Sequence, residues 1–100
     1  MLEIVFRPKA EADLEAIADY TKAAWGDAQA KRYLLDIRNK IAATIHYPGM
    51  GSRVFGLPSV YRKIPCGHHR AIYRFTDTEF IVVRIVHERD DVLDEIEDFW

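Results

Sequence analysis

Nine residues near the end of the chain, Glu79 to His87 (EFIVVRIVH), constrain the fold more than any other stretch. At the period of two that a strand imposes, Ile81, Val83, Ile85 and His87 share one face, and Phe80, Val82, Arg84 and Val86 share the other. Both faces are apolar, which places this strand in the centre of a sheet. Arg84 is the exception. A charge in such a run needs a partner, and two readings stand open: a structural ion pair with a nearby acid, or a surface on which Arg84 joins Arg70 and Arg74 in holding a ligand or a protein.

Two further runs rich in β-branched and aromatic residues precede it, VYRKI at 60–64 and HRAIYRF at 69–75, with PCGH and TDT between them as turns. Together the three read as an antiparallel meander. In HRAIYRF the alternation sets His69, Ala71, Tyr73 and Phe75 against Arg70, Ile72 and Arg74, and the arginine face is expected to be the open one. At the start of the chain LEIVFR, residues 2–7, is a short strand, and Pro8 suits the first turn of a helix because its missing N–H has no helical partner there anyway.

From Ala12 the positions Leu14, Ile17, Thr21 and Ala24 recur at three and four, with Trp25 closing the stripe. Gly26 suits the end of that helix and Asp27 the N-cap of the next, which carries Ala30, Leu34, Ile37, Ile41 and Ile45 on one side before Pro48 and Gly49 end it. A turn this short makes an antiparallel helical hairpin. Residues 49–60 (GMGSRVFGLPSV) read as an irregular connection that partly packs down. The expectation is one α+β domain over residues 1–100, ordered β-α-α-β-β-β. Its helical hairpin covers one face of a mainly antiparallel sheet. A short helical tail ends it, since Leu93, Ile96 and Trp100, or Val92, Ile96 and Phe99, fall at helical spacing within VLDEIEDFW. A segment this short gains order by docking, either on its own sheet beside the arginine face or on the antitoxin or target, and the domain's own surface is the expected seat, with displacement when a partner binds.

Hydrophobic residues make up 49% of the chain and charged residues 30%, the balance of an ordinary soluble domain, and no apolar run approaches the length of a membrane span. The opening residues lack the order of a secretion signal, so a cytoplasmic protein is expected. A lone Cys66 makes neither a disulfide nor a metal motif, and no cofactor or metal is expected. Net charge is -2. That argues against direct nucleic-acid binding, whose footprint is strongly basic. The charge is unevenly spread: residues 53–89 hold seven basic and three acidic side chains, whereas residues 90–100 hold six acids and no base.

Taken in order, DL..IA.YT...WG..QA..YL (Asp13 to Leu34), YRK (Tyr61 to Lys63), GHH..IYR (Gly67 to Arg74) and RIVHERDDV (Arg84 to Val92) resemble the ParE branch of the ParE/RelE toxin superfamily. The resemblance covers nearly the whole chain and implies the same strand, helical hairpin and sheet. It implies the toxin of a type II toxin–antitoxin system that poisons DNA gyrase and blocks replication. A ParD-like antitoxin would neutralise it in a hetero-oligomer. The matched motifs nominate Arg62, His69, Arg70, Tyr73, Arg84, His87, Arg89 and Asp91 as family-motif or target-binding candidates. Tyr20, Trp25 and Tyr33, more aromatic surface than one sheet-facing stripe needs, become antitoxin-binding candidates. Asp90 stands where the family motif commonly has methionine, and His68 where it often has serine.

The RelE branch, which cuts messenger RNA on the ribosome, offers an alternative, as does a non-toxic remnant that only binds antitoxin. Attack by a 2′-hydroxyl needs a base, an acid and cations on the phosphate, and His87, His69, Arg70, Arg84 and Arg89 are the residues able to serve. Asp90 and Asp91 beside them repel such a substrate, so no catalytic residue is assigned and His87 is read as a strand-end residue. His68 and His69 are discounted as a metal pair because neighbours on a strand point to opposite faces.

Overall fold

The computed structural model describes residues 2–91. β1 (Glu3–Phe6) leads into α1 (Pro8–Trp25), with Pro8 in the first turn as its missing N–H allows. α1 ends at Gly26, whose φ of 93° and ψ of 169° lie in a region that essentially only glycine occupies. The same residue closes one helix and opens the next. Its N–H donates to the Lys22 carbonyl at 2.9 Å, and its own carbonyl accepts the Ala30 N–H at 3.1 Å. Asp27 is therefore the first residue of α2 (Asp27–Thr44), not its cap, and meets Lys22 across the turn at 3.4 Å.

After α2 come a 3-10 turn (Pro48–Met50), a two-residue β2 (Ser52–Arg53), β3 (Arg62–Cys66), β4 (His69–Phe75) and β5 (Glu79–His87). The sheet has five strands in the order β1-β5-β4-β3-β2, antiparallel except where β1 runs parallel to β5. β5 is an interior strand, covered on both edges by β1 and β4, as its composition requires, although β4 and not β5 stands at the middle of the five. β2 was not anticipated within 49–60, and β3 begins two residues later than VYRKI suggested and takes in Pro65 and Cys66. Pro65 is tolerated because β2 pairs only with Arg62 and Lys63, so Pro65 lies at a sheet edge where no donor is missed. The helical tail expected at 92–100 lies outside the described residues.

The main core lies between hairpin and sheet. Leu14, Ile17, Ile37 and Ile41 from the helices pack on Ile64, Tyr73, Phe80, Val82 and Ile85, with the rings of Tyr73 and Phe80 stacked at 4.4 Å. The opposite face is not open. Val54, Leu57 and Tyr61 from the long connection bury Ile72, Ile81, Val83 and Val86 in a second, smaller cluster. What the sequence presents as an arginine face is thus closed at its centre.

β5 serves both clusters with its two faces, and a β-bulge changes which residues fall on each. Tyr73 pairs with Val82 but Ile72 with Arg84, so Val83 is one residue too many and the alternation flips beyond it. Ile85 therefore joins Phe80 and Val82 on the helix side, and the grouping of Ile81, Val83 and Ile85 on one face does not hold. Arg84 is placed against α1. Its Nε and second guanidinium nitrogen donate to the two Asp13 carboxylate oxygens at 2.8 and 3.0 Å, while the Ile85 N–H donates to Asp13 at 2.9 Å. The two side chains are only 13% and 16% exposed, so the structural ion pair is the reading that the fold realises.

Candidate functional site

A groove of about 680 Å³ opens between the helical hairpin and the ends of β4 and β5. Its helical walls carry Ile17, Tyr20 and Trp25 from α1 and Tyr33 from α2, and its sheet side His69 and His87. On α1 the buried positions are Ala10, Leu14, Ile17 and Thr21, spaced at four and three. Trp25 continues that direction by one more turn but does not close the buried stripe, because groove rather than core lies beneath it. Trp25 is 73% and Tyr20 74% exposed. Both aromatics thus stand on the groove wall with most of their surface in water.

Tyr33 sits differently. It is half-buried on α2, and its hydroxyl oxygen accepts the His68 N–H at 2.9 Å while lying 2.6 Å from His69 Nδ1 and 3.4 Å from the Cys66 carbonyl. The ring rests on Gly67, whose φ is 62° and where an added Cβ would come within 2.7 Å of the Tyr33 ring. One side chain on α2 therefore pins the whole β3–β4 turn. Burial raises the Tyr33 pKa above its ordinary value, only partly offset by the hydrogen bond from His68.

His69 is held between Tyr33 and His87, with ring centroids 5.6 and 5.2 Å away in edge-on geometry. Its pKa is lowered, first by burial and then by His87 and His68, with Asp90 and Glu88 acting in the opposite sense. A neutral imidazole there leaves Nδ1 free to accept the Tyr33 hydroxyl proton. His87 is part of a turn: its Nδ1 accepts the Arg89 N–H at 3.1 Å, its N–H donates to the Asp90 carboxylate at 3.2 Å, and its carbonyl accepts the Asp90 N–H at 2.9 Å. RIVHERDDV folds on itself as the chain leaves the sheet.

His68 lines the same groove as His69. The alternation argument fails here because β3 ends at Cys66 and β4 begins at His69, leaving Gly67 and His68 in a two-residue turn with no strand faces. Among the described residues no cluster of three or more histidines, cysteines or carboxylates could hold a metal.

The remaining candidates lie elsewhere. Arg70 donates to the Glu88 carbonyl, and His68 faces the Glu88 carboxylate at 3.4 Å, which ties the β3–β4 turn to the exit of β5. Arg62 donates to the Gly51 carbonyl at 2.8 Å. The Tyr73 hydroxyl donates to the Pro48 carbonyl at 2.6 Å and accepts the Gly51 N–H at 3.1 Å, so both residues fix the connection that follows α2. Arg89 and Asp91 are exposed. The structure thus gathers Tyr20, Trp25, Tyr33, His69 and His87 at one groove and leaves Arg62, Tyr73 and Arg84 outside it. Gln29, also on the groove wall, belongs to the matched stretch from Asp13 to Leu34, but nothing in that stretch marks it as a site residue.

A family model for the ParE toxin of type II toxin–antitoxin systems, parDE, matches residues 4–92. Toxin ParE1 of Mycobacterium tuberculosis is 38% identical over 86 residues, 85% of this chain and 88% of that protein. Toxin ParE of Escherichia coli is 32% identical over 99 residues, 98% of this chain and 96% of that one. Among solved structures, a chromosomal ParDE toxin–antitoxin system from P. aeruginosa superposes with a TM-score of 0.75 at 22% identity, covering 87% of this chain and 96% of that chain. With a helical hairpin on a five-stranded sheet, and with the family's motifs spent on its turns and its groove, this chain belongs to the ParE toxin family of type II toxin–antitoxin systems.

Proposed function

We propose that the protein acts in the cytoplasm as a binding toxin, not an enzyme, that its target is DNA gyrase, and that a ParD-like antitoxin neutralises it. Gyrase enters from the family resemblance. The observation that supports binding over catalysis is how the candidate catalytic groups are engaged: Arg84 is committed to Asp13, Arg70 to a backbone carbonyl, and His87 Nδ1 to the Arg89 N–H. A nuclease site needs such groups aimed at a phosphate, and Asp90 sits within the same turn. Purified protein should inhibit gyrase supercoiling, or accumulate gyrase-cleaved DNA, without cutting RNA. Ribosome-dependent cleavage of messenger RNA that His87→Ala abolishes would overturn this reading.

For the antitoxin, the proposed contact is the exposed aromatic wall. Large aromatics that stand in water are the residues that anchor interfaces, and truncating one costs about 2 kcal/mol or more, near 30-fold in affinity. Tyr20→Ala and Trp25→Ala should each weaken antitoxin binding by that order in a titration, with the fold unaffected. Unchanged affinity in both variants would move the contact elsewhere.

A further inference from the structure

We propose that the groove is the seat of this chain's own residues 92–100, VLDEIEDFW. The described chain runs to Asp91, four residues past His87, which is itself part of the groove lining. Nine residues reach at most roughly 30 Å when extended and span about 14 Å as a helix. The helical wall from Ala16 to Trp25 is nine residue steps of helix, the same length, so the segment and the wall match end to end.

Chemistry selects this seat over the others. The segment holds Asp94, Glu95, Glu97 and Asp98 with no base, interleaved with Leu93, Ile96, Phe99 and Trp100. The groove offers apolar and aromatic surface at Ile17, Tyr20 and Trp25 and imidazole donors at His68, His69 and His87, and none of the described residues lining it carries a carboxylate. A second groove, lined by Phe6, Leu14 and Arg38, also contains Glu11 and Glu15, which repel an acidic segment. The arginine side of the sheet is filled by Val54, Leu57 and Tyr61. Of these grooves, the one beside His87 combines reach with apolar and aromatic surface and imidazole donors, and the acids at its rim, Glu88 and Asp90, are already engaged by His68 and by the His87 N–H. Resting on the antitoxin contact proposed above, the docked segment then covers Tyr20 and Trp25 and has to be displaced before a partner uses them.

A nitroxide at Asp98→Cys in the full chain tests this. Cys66 is buried and its thiol pKa is pushed up to about 11, so labelling is selective without replacing it. Backbone amides of Tyr20, Trp25 and His68 should lose more than half their NMR intensity, while those of Glu11, Arg38 and Phe55 keep theirs, and adding Trp100→Ala should restore the lost signals. Broadening centred elsewhere, or spread evenly, overturns the proposal. So does equal broadening in an isotope-labelled copy mixed with a spin-labelled one, because the seat would then hold a second copy's segment. Saturating antitoxin should release the broadening. Groove broadening that survives it leaves the docked segment standing and overturns the antitoxin contact instead.

Discussion

Tyr20 and Tyr33 are both tyrosines on the helical hairpin, yet they are expected to respond to substitution in opposite ways. The Tyr33 hydroxyl satisfies the His68 N–H and contacts His69, so Tyr33→Phe should lower stability by about 1 kcal/mol, or some 4–8 °C in melting temperature, and Tyr33→Ala by more. Tyr20→Ala, at an exposed position, should stay within about 0.5 kcal/mol in the same denaturation experiment. Titration adds a second contrast. His69 is lowered in the fold, so as pH falls below 6.5 the unfolded chain takes up its proton first, and stability should decline until the folded pKa is passed. Cys66 is raised from 9.0 to about 11, so the unfolded chain loses that proton first, and stability should fall as pH climbs above 9 and flatten past about 11. Urea midpoints measured across this range should show both limbs. His69→Asn should flatten the acid limb and Cys66→Ala the first part of the alkaline one.

Among the elements, two junctions set the hairpin. Gly26 has open space around its α-carbon but a backbone that side chains rarely adopt, so Gly26→Ala should cost about 1–3 kcal/mol without any clash, read as a shifted urea midpoint with an unchanged slope. Between α1 and β5, the Asp13–Arg84 pair is shielded enough that removing one partner strands the other, and Arg84→Ala should cost about 3 kcal/mol. If Arg84 were instead a contact for a target, the variant would lose potency while keeping its midpoint. The sequence makes some of this legible and hides the rest for identifiable reasons. Helical phase and the Gly26 punctuation fix the hairpin, and the doubly apolar β5 marks a strand of the sheet's interior. The bulge at Val83 leaves no trace, because an inserted residue in a run apolar on both faces changes no hydrophobic pattern. β3 is displaced because Pro65 reads as a turn unless the neighbouring strand is known to stop short. Within the groove, the excess of aromatics on the hairpin is visible, but the seating of Tyr33 on Gly67 joins residues far apart in sequence and rests on side-chain packing.

For the molecule as a whole, the sheet closes between strands far apart in sequence: β1 begins at Glu3, yet its only strand partner among the described residues, β5, begins at Glu79. Both core clusters draw on β5, which supplies Phe80, Val82 and Ile85 to one and Ile81, Val83 and Val86 to the other. Non-local closure of this kind delays folding until the distant partner exists. During synthesis, the first four-fifths of the chain is a helical hairpin and a partial meander that lack the side chains β5 supplies to both clusters. A growing polypeptide of this protein is therefore expected to stay incompletely packed until β5 clears the ribosome. With elongation at roughly 5–20 residues per second, every copy passes through several seconds in which it is exposed to chaperones, proteases and binding partners before it can act.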